Sequence, residues 1–319
     1  MTLADRNTDR APERTVALEI AGGGTIHGDL VVPDDARGIV LFAHGSGSSR
    51  HSPRNRSVAR QLQRRGLATM LVDLLTGDEE RQDARTGHLR FDIGLLAERL
   101  RRVTGWLSQE PSTARLPLGY FGASTGAAAA LDAAAQLREH VAAVVSRGGR
   151  PDLATRPLTD VTAPTLLIVG GRDDVVLELN EQVLGALRCA RDLQVVDGAT
   201  HLFEEPGALD QVARLAGDWF VTHMEALMAS DTRTTTDHDE IRRWVEQHDG
   251  KPASVRGTEA GDAAGVLRID FPGGTGDDVL EHISWEDWFA KFDDSGLTFL
   301  YQTEKAGGED STFFKLVNR

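Results

Sequence analysis

The stretch Gly122-Ala123-Ser124-Thr125-Gly126 sets a serine between two glycines, after an apolar run and before a chain of alanines. A G-x-S-x-G turn between a strand and a helix holds its hydroxyl exposed on a strained backbone, where it can act as a nucleophile. Glycines on either side relieve the crowding of such a turn. A serine hydroxyl still needs a base, and the base needs an orienting acid. In a strand–turn–helix setting the expected chain order is serine, then Asp or Glu, then His, each on a loop that follows a strand. Asp173 follows the apolar run "PTLLIVG", with Asp174 as its local competitor, and His201 follows "DLQVVDG". Each residue also has a plainer reading: a helix-capping serine, a turn aspartate, a surface histidine. Three matches in the expected order favour the chemical reading, with Ser124, Asp173 and His201 as a catalytic triad.

Acyl chemistry also requires donors for the oxyanion that forms. One is expected from the backbone N–H of Thr125, the other from the loop after an early strand. That loop is "AHGSGSSRHSPRNR", and the Ser46 amide is the expected donor, with Gly47 as the alternative. Gly45-Ser46-Gly47 does not complete a dinucleotide fingerprint, because Arg50 stands where the third glycine belongs. No G-K-[ST] follows, so a phosphate loop is also excluded. His44 precedes the serine in the chain and is read as structural. A carboxylate nucleophile of the dehalogenase kind would have to stand at position 124, where the chain has serine.

These residues need a scaffold. "TVALEI" and "IHGDLVV" flank "AGGGT" and predict a hairpin. The apolar runs "GIVLFAH", "LATMLVDLL", "PLGYFG", "VAAVVS" and "PTLLIVG", then "DLQVVDG", predict strands. Between and after them, "SVARQLQRRG", "DIGLLAERLRRVTGWLSQ", the alanine run, "LELNEQVLGALR" and "GALDQVARLAGDWFVTHMEAL" predict helices. Such alternation predicts an α/β fold, a mostly parallel sheet with helices on both faces. Function then gathers at the carboxyl ends of the strands.

On the residues "HGSGSSRHSPRNR", "GASTG", "LLIVGGRDDVV" and "GATHLF", residues 15–228 resemble an α/β-hydrolase of the dienelactone-hydrolase-like group. The resemblance covers about two-thirds of the chain. It implies hydrolysis of an ester or similar acyl bond through an acyl-serine, without a cofactor or metal. Dienelactone hydrolases proper use a cysteine nucleophile. Here the turn carries Ser124 and Cys189 lies in a different segment, which favours a serine esterase acting on a small-molecule ester. An amide or thioester substrate, or an idle hydrolase fold used for binding or regulation, remains open at this point.

The segment from Arg147 to Ala163 is too short for a helical cap, so an open site is expected. Arg50, His51, Arg54, Arg56, Arg147 and Arg150 cluster near the predicted site. Gly47, Arg54 and Arg150 are candidate substrate-binding residues, since arginine suits carboxylate or phosphate. Pairing with Asp73, Glu79, Glu80 or Asp92, to pin loops, is the favoured alternative.

The chain has 319 residues, 40% of them apolar, and a formal net charge of −14, which argues against a general nucleic-acid partner. One cysteine cannot form an intrachain disulfide. The N-terminal "MTLADRNTDRAPERT" lacks an apolar signal core, and no run is long enough for a membrane span, so a cytoplasmic location is expected. Oligomeric state is left open. From Asp231 onward the chain holds 19 acidic and 10 basic residues, leaving −5 of the charge to the first 230. "MASDTRTTTDHDE" has no apolar periodicity and reads as a linker, placed at 229–236. Residues 237–319 then form a small α+β domain, with helices in "DHDEIRRWVEQHDG" and "SWEDWFAKFDDSG", a strand in "GVLRIDF" and a closing hairpin. It resembles a small bacterial domain of unknown function, which brings no chemistry. Asp277 and Asp278 lack calcium-loop spacing, and His238 and His248 lack a partner at metal spacing. Trp244, Trp285, Trp288 and Phe289 are read as core.

Overall fold

The computed structural model describes residues 11–20, 23–230, 232–255, 266–272, 280–302, 312 and 314–318. Two compact units divide the chain, residues 1–227 and 228–319.

The first unit is built on one eight-stranded sheet. In chain order its strands are β1 (Glu13–Glu19), β2 (Thr25–Val31), β3 (Ile39–Ala43), β4 (Ala68–Val72), β5 (Leu118–Ala123), β6 (Ala143–Arg147), β7 (Thr165–Gly170) and β8 (Arg191–Val196). Across the sheet they run β1-β2-β4-β3-β5-β6-β7-β8. The predicted hairpin is β1–β2, paired antiparallel from Glu13 against Val31 to Glu19 against Thr25. β2 meets β4 antiparallel, and every pair from β4 to β8 is parallel.

Every residue of β3 to β7 is buried, because helices cover both faces and a polar residue there would face no water. The pleat sends neighbours to opposite faces. Val40 and Phe42 pack with α1 (Pro53–Gln63) and α6 (Ala208–Ser230) through Val58, Leu62, Val212 and Phe220. Leu41 and Ala43 pack with α3 (Ile93–Leu107) and α4 (Thr125–Leu137) through Leu96, Leu100 and the alanine run. The alanines, nearly all fully buried, let α4 lie close beneath the sheet. α5 (Asp174–Ala186) completes that layer. The connection from β6 to β7 holds two single 3-10 turns and no inserted helical layer, in line with the short segment.

One helix has no counterpart among the predicted elements. α2 (Gly77–Thr86) follows β4, with a reciprocal capping box between Thr76 and Glu79 and a left-handed Gly87 at its end. Only Asp83 of it is buried, so it carries no apolar stripe for a periodicity reading to find. The T-x-x-E spacing of its cap was the available signal.

The second unit contains β9 (Thr232–Thr235), α7 (His238–Gln247), β10 (Lys251–Val255), β11 (Leu267–Asp270), β12 (Leu280–His282), α8 (Trp285–Asp294), β13 (Leu297–Gln302) and β14 (Phe314–Asn318). They form two antiparallel three-stranded sheets, β11-β10-β12 and β14-β13-β9. The segment read as a linker is structured: α6 runs to Ser230, and Thr232–Thr235 pairs with β13. Ladder hydrogen bonds replace the apolar signal missing from its threonines. Trp244 and Trp288 are buried with Ile241, Phe292 and Phe299, while Trp285 and Phe289 pack at the margin of that core. Asp277 and Asp278 lie outside the described residues. No helix among the described residues is long and apolar enough to cross a membrane.

Candidate active site

Ser124 stands at the end of β5 with φ 51° and ψ −122°, a left-handed conformation that L-residues other than glycine rarely adopt. Close packing holds it there. A Cβ on Gly122 would lie 2.4 Å from the Ala127 Cα, and one on Gly126 would lie 2.3 Å from the Ala43 carbonyl oxygen. Two glycines are thus required for the turn to pass between β3 and α4. The Ser124 amide donates to the Arg147 carbonyl at 3.3 Å, and its own carbonyl accepts from Ala127 and Arg150. Although Ser124 occupies the N-cap position of α4, its side chain makes no capping bond, which removes the capping alternative.

Asp173 precedes α5 at the end of β7, and it too leaves the helix uncapped. Its Oδ2 instead accepts from Nδ1–H of His201 at 2.6 Å. Asp174 is exposed and is not part of this pair. The two loops are tied by backbone bonds, Gly171 N–H to the Val196 carbonyl and Arg172 N–H to the Ala199 carbonyl, both 2.9 Å. Thr200 N–H to Glu205 Oε1, at 3.1 Å, fixes the histidine loop from its far side. With Nδ1 holding the proton for Asp173, Nε2 of His201 is left as the basic face. The His201 side chain is 38% exposed, so this face is within reach of solvent and ligands.

The loop after β3 lies against the serine turn: a Cβ on Gly45 would sit 3.0 Å from the Ser124 Cβ. The Ser46 amide donates to the Thr125 hydroxyl at 2.9 Å. His44 is engaged on both nitrogens. Nδ1–H donates to the Gly45 carbonyl at 3.0 Å, and Nε2 accepts from Leu74 N–H at 3.2 Å. Burial lowers its pKa despite the Gly45 bond, so it is a neutral structural residue that braces the loop.

Beside Thr125 opens a cavity of about 490 Å³, lined by His44 to Ser49, by Arg54 and, on its far wall, by Glu80, Asp83 and Ala84 of α2. The wall made by α2 is the part of the site that sequence reasoning missed. Gly47 lines this cavity with φ 69°. Arg54 lines it as well, with one nitrogen on Glu204 at 3.0 Å. Arg150 does not reach it, being held in a two-point pair by Asp152 at 2.8 and 2.7 Å. Arg50 pairs with Asp73 and Asp29, and Arg56 with Asp29 and Glu13. Asp73 is thus the one predicted partner that takes an arginine of this cluster. Glu79 pairs with Arg99, and Asp92 caps α3.

The strand order, the single antiparallel edge and the serine turn at the central strand define an α/β-hydrolase. The dienelactone hydrolase family model matches residues 26–227, and the chain belongs to that family. The family is one of hydrolases of small molecules. A dienelactone hydrolase of known structure from Anabaena variabilis is 57% identical with a TM-score of 0.65, over 67% of this chain and 99% of that one. An α/β serine hydrolase homologue from Coxiella burnetii is 19% identical with a TM-score of 0.54, over 64% of this chain and 96% of its own. At that identity the likeness concerns the fold. Two strains of Mycobacterium tuberculosis carry proteins provisionally named phosphoribosyl transferase, 62% identical over 205 residues, which are 64% of this chain. The chain spans only 45% of the length of those relatives.

Proposed function

We propose that the first unit is a serine hydrolase that cleaves a carboxylic ester or closely related acyl bond. The observation that carries this reading is the 2.6 Å bond from His201 to Asp173, on loops flanking a strained serine that caps nothing. Ser124 Oγ attacks the carbonyl carbon while Nε2 of His201 takes the hydroxyl proton. Asp173 holds the imidazole in the tautomer that keeps Nε2 free and stabilises the imidazolium that forms. The amides of Thr125 and Ser46 receive the developing oxyanion. His201 then gives its proton to the leaving alcohol, and an acyl-serine remains. A water, deprotonated by the same nitrogen, attacks the acyl carbon and releases the acid with Ser124 restored.

Two details fit a site at rest. Ser124 Oγ makes no hydrogen bond among the described residues, and nucleophile–base contacts commonly tighten only with substrate bound. The Thr125 hydroxyl occupies the Ser46 N–H until an oxyanion takes its place or shares it. The short β6–β7 connection leaves the site uncapped, which suits a small ester or an acyl group presented on a larger molecule. We take the transferase name of the longer mycobacterial relatives to describe the part of them that this chain does not match.

The test is hydrolysis of p-nitrophenyl esters of increasing acyl length by the wild type and Ser124→Ala. Turnover that disappears in the variant is expected. Turnover that persists at wild-type rate removes Ser124 as the nucleophile. Labelling of Ser124 by a fluorophosphonate with no ester turned over would redirect the reading to another acyl bond, such as an amide or thioester.

A further inference from the structure

A buried charge beside the serine turn has no protein group to meet it. Arg147 ends β6, and its carbonyl accepts the Ser124 amide. The residue is 7% exposed, and Nε and Nη1 are buried without a hydrogen-bond partner. Among the described residues no carboxylate lies within ion-pair distance of it. The guanidinium sits over the ring of Phe203, 5.7 Å from the centroid. Phe203 is itself fully buried and held at φ 56°, two residues beyond His201. Backbone strain in a bulky residue persists only where its surroundings impose it, and it gathers at ligand sites.

The charged side chain that acts on it has the same sign. Burial and, second, the repulsion of Arg54 lower the Arg147 pKa to about 10, which leaves it charged at neutral pH. Arg54 also has a buried Nε with no partner, and its one ion pair is to the exposed Glu204. It is the second residue of α1, whose first turn holds no acidic residue. The positive end of that helix therefore adds to the same field. The neighbouring arginines differ. Arg50, Arg56, Arg90 and Arg150 all have carboxylate partners. Burying a charge without a counter-charge is strongly unfavourable. A buried guanidinium with no counter-charge, over an aromatic ring, and a second whose only carboxylate is exposed therefore describe a site for an anion that the protein does not itself supply.

We propose that Arg147 and Arg54 form an anion subsite beside the nucleophile, taking a carboxylate or phosphate group carried by the substrate. The planar guanidinium suits such oxygen pairs. The position next to Ser124 and the His201 loop puts the bound group on the same molecule as the scissile bond. The catalytic consequence rests on the acyl-hydrolase reading above; the binding does not.

The test therefore has two arms. In the Ser124→Ala protein, thermal unfolding is followed while inorganic phosphate or acetate is titrated at constant ionic strength. A saturable rise in Tm with at least one of them is expected, abolished in Ser124→Ala/Arg147→Met and weakened in Ser124→Ala/Arg54→Met. The anion giving the larger rise identifies the group. No rise in the parent, or an equal rise in both double variants, overturns the proposal whatever the enzyme hydrolyses. The second arm compares kcat/KM for a p-nitrophenyl hemisuccinate and the neutral butyrate. The anionic-to-neutral ratio is expected to fall about tenfold or more in Arg147→Met, the scale of one charge-assisted hydrogen bond. Arg147→Lys, which keeps the charge without the fork, should restore part of it. A ratio unchanged in both variants overturns the subsite's role in substrate recognition. Should Arg147→Met fail to fold, Arg54→Met, at a more exposed position, gives the same readout.

Discussion

Replacing Thr125 by valine isolates the hydrogen bond that joins the two residues proposed as oxyanion donors. The Thr125 hydroxyl accepts the Ser46 amide at 2.9 Å, and Thr125 itself is 2% exposed. Valine keeps the branched shape and removes the acceptor. The bond is part-buried, so its net loss is about 0.5–1.5 kcal/mol. For a unit of this size that lowers Tm by roughly 1–6 °C. Activity should suffer more than stability. Outright loss of an oxyanion donor costs about a hundred- to a thousandfold in rate. Here the Ser46 N–H remains but nothing holds it, and misplacement of that kind costs on the order of ten- to a hundredfold. The loss should fall on kcat with KM little changed, because the donor acts on charge that exists only in the transition state. Thr125→Ser returns the hydroxyl and should recover most of kcat. Steady-state kinetics with p-nitrophenyl acetate on the three proteins decides the matter. Wild-type kcat in Thr125→Val would refute the assignment of the Ser46 amide to the oxyanion. An equal loss in Thr125→Ser would show that the hydroxyl alone does not suffice and that the methyl group is needed to hold it in place.

Further outcomes follow from other parts of the molecule. Asp173→Asn should lower kcat by roughly ten-thousandfold with Tm near wild type, while Asp174→Asn, at the exposed neighbour, stays near wild type; equal effects would misassign the acid. Gly126→Ala places a Cβ 2.3 Å and 2.6 Å from the Ala43 and His44 carbonyl oxygens, which are backbone and cannot give way. It should cost about 1–3 kcal/mol and be seen as a lower Tm, and a wild-type Tm would show the turn to be looser than described. In the second unit, hydrogen bonds from Tyr301 and then Thr235 hold the Glu240 pKa below its ordinary value. The stability this carboxylate adds is present above its unfolded pKa and is lost as pH falls through the lower folded one. In the full chain, the urea midpoint of this unit should therefore drop between about pH 5 and pH 3. Tyr301→Phe should flatten that dependence, and an unchanged slope would remove Glu240 as its source.

What the sequence made legible follows from what is local in it. Ser124, Asp173 and His201 each sit a residue or a few past a strand, so finding the strands was enough to place them, and the apolar runs of β3 to β7 mark those strands plainly. Of the four elements that escaped, α2, β9, β10 and β12, the first two did so for the same reason. α2 has Ala84 as its one apolar side chain and β9 is made of threonines with one arginine, so neither carries an apolar period. A capping box and a ladder against β13 hold them instead. The capping box can be read from Thr76 and Glu79. The ladder cannot, since β13 lies more than sixty residues further along.

The arginines resist reading for a deeper reason. Within "SRGGRPD", Arg147 and Arg150 look alike but for the aspartate two residues past Arg150. Arg150 stands past the strand and meets an aspartate two residues on. Arg147 is still inside the strand, where the pleat sends it to the face opposite Ser146, against Phe203 and toward Arg54. Their charges belong to different physical situations because a single residue of register decides which face each one meets. The carboxylates that answer Arg50, Arg54 and Arg56 come from 23, 150 and 27 residues away. A pairing census is therefore a property of the folded chain alone. It is that census, by leaving Arg147 without an acid, that turns an ordinary basic cluster into a specific expectation about the substrate.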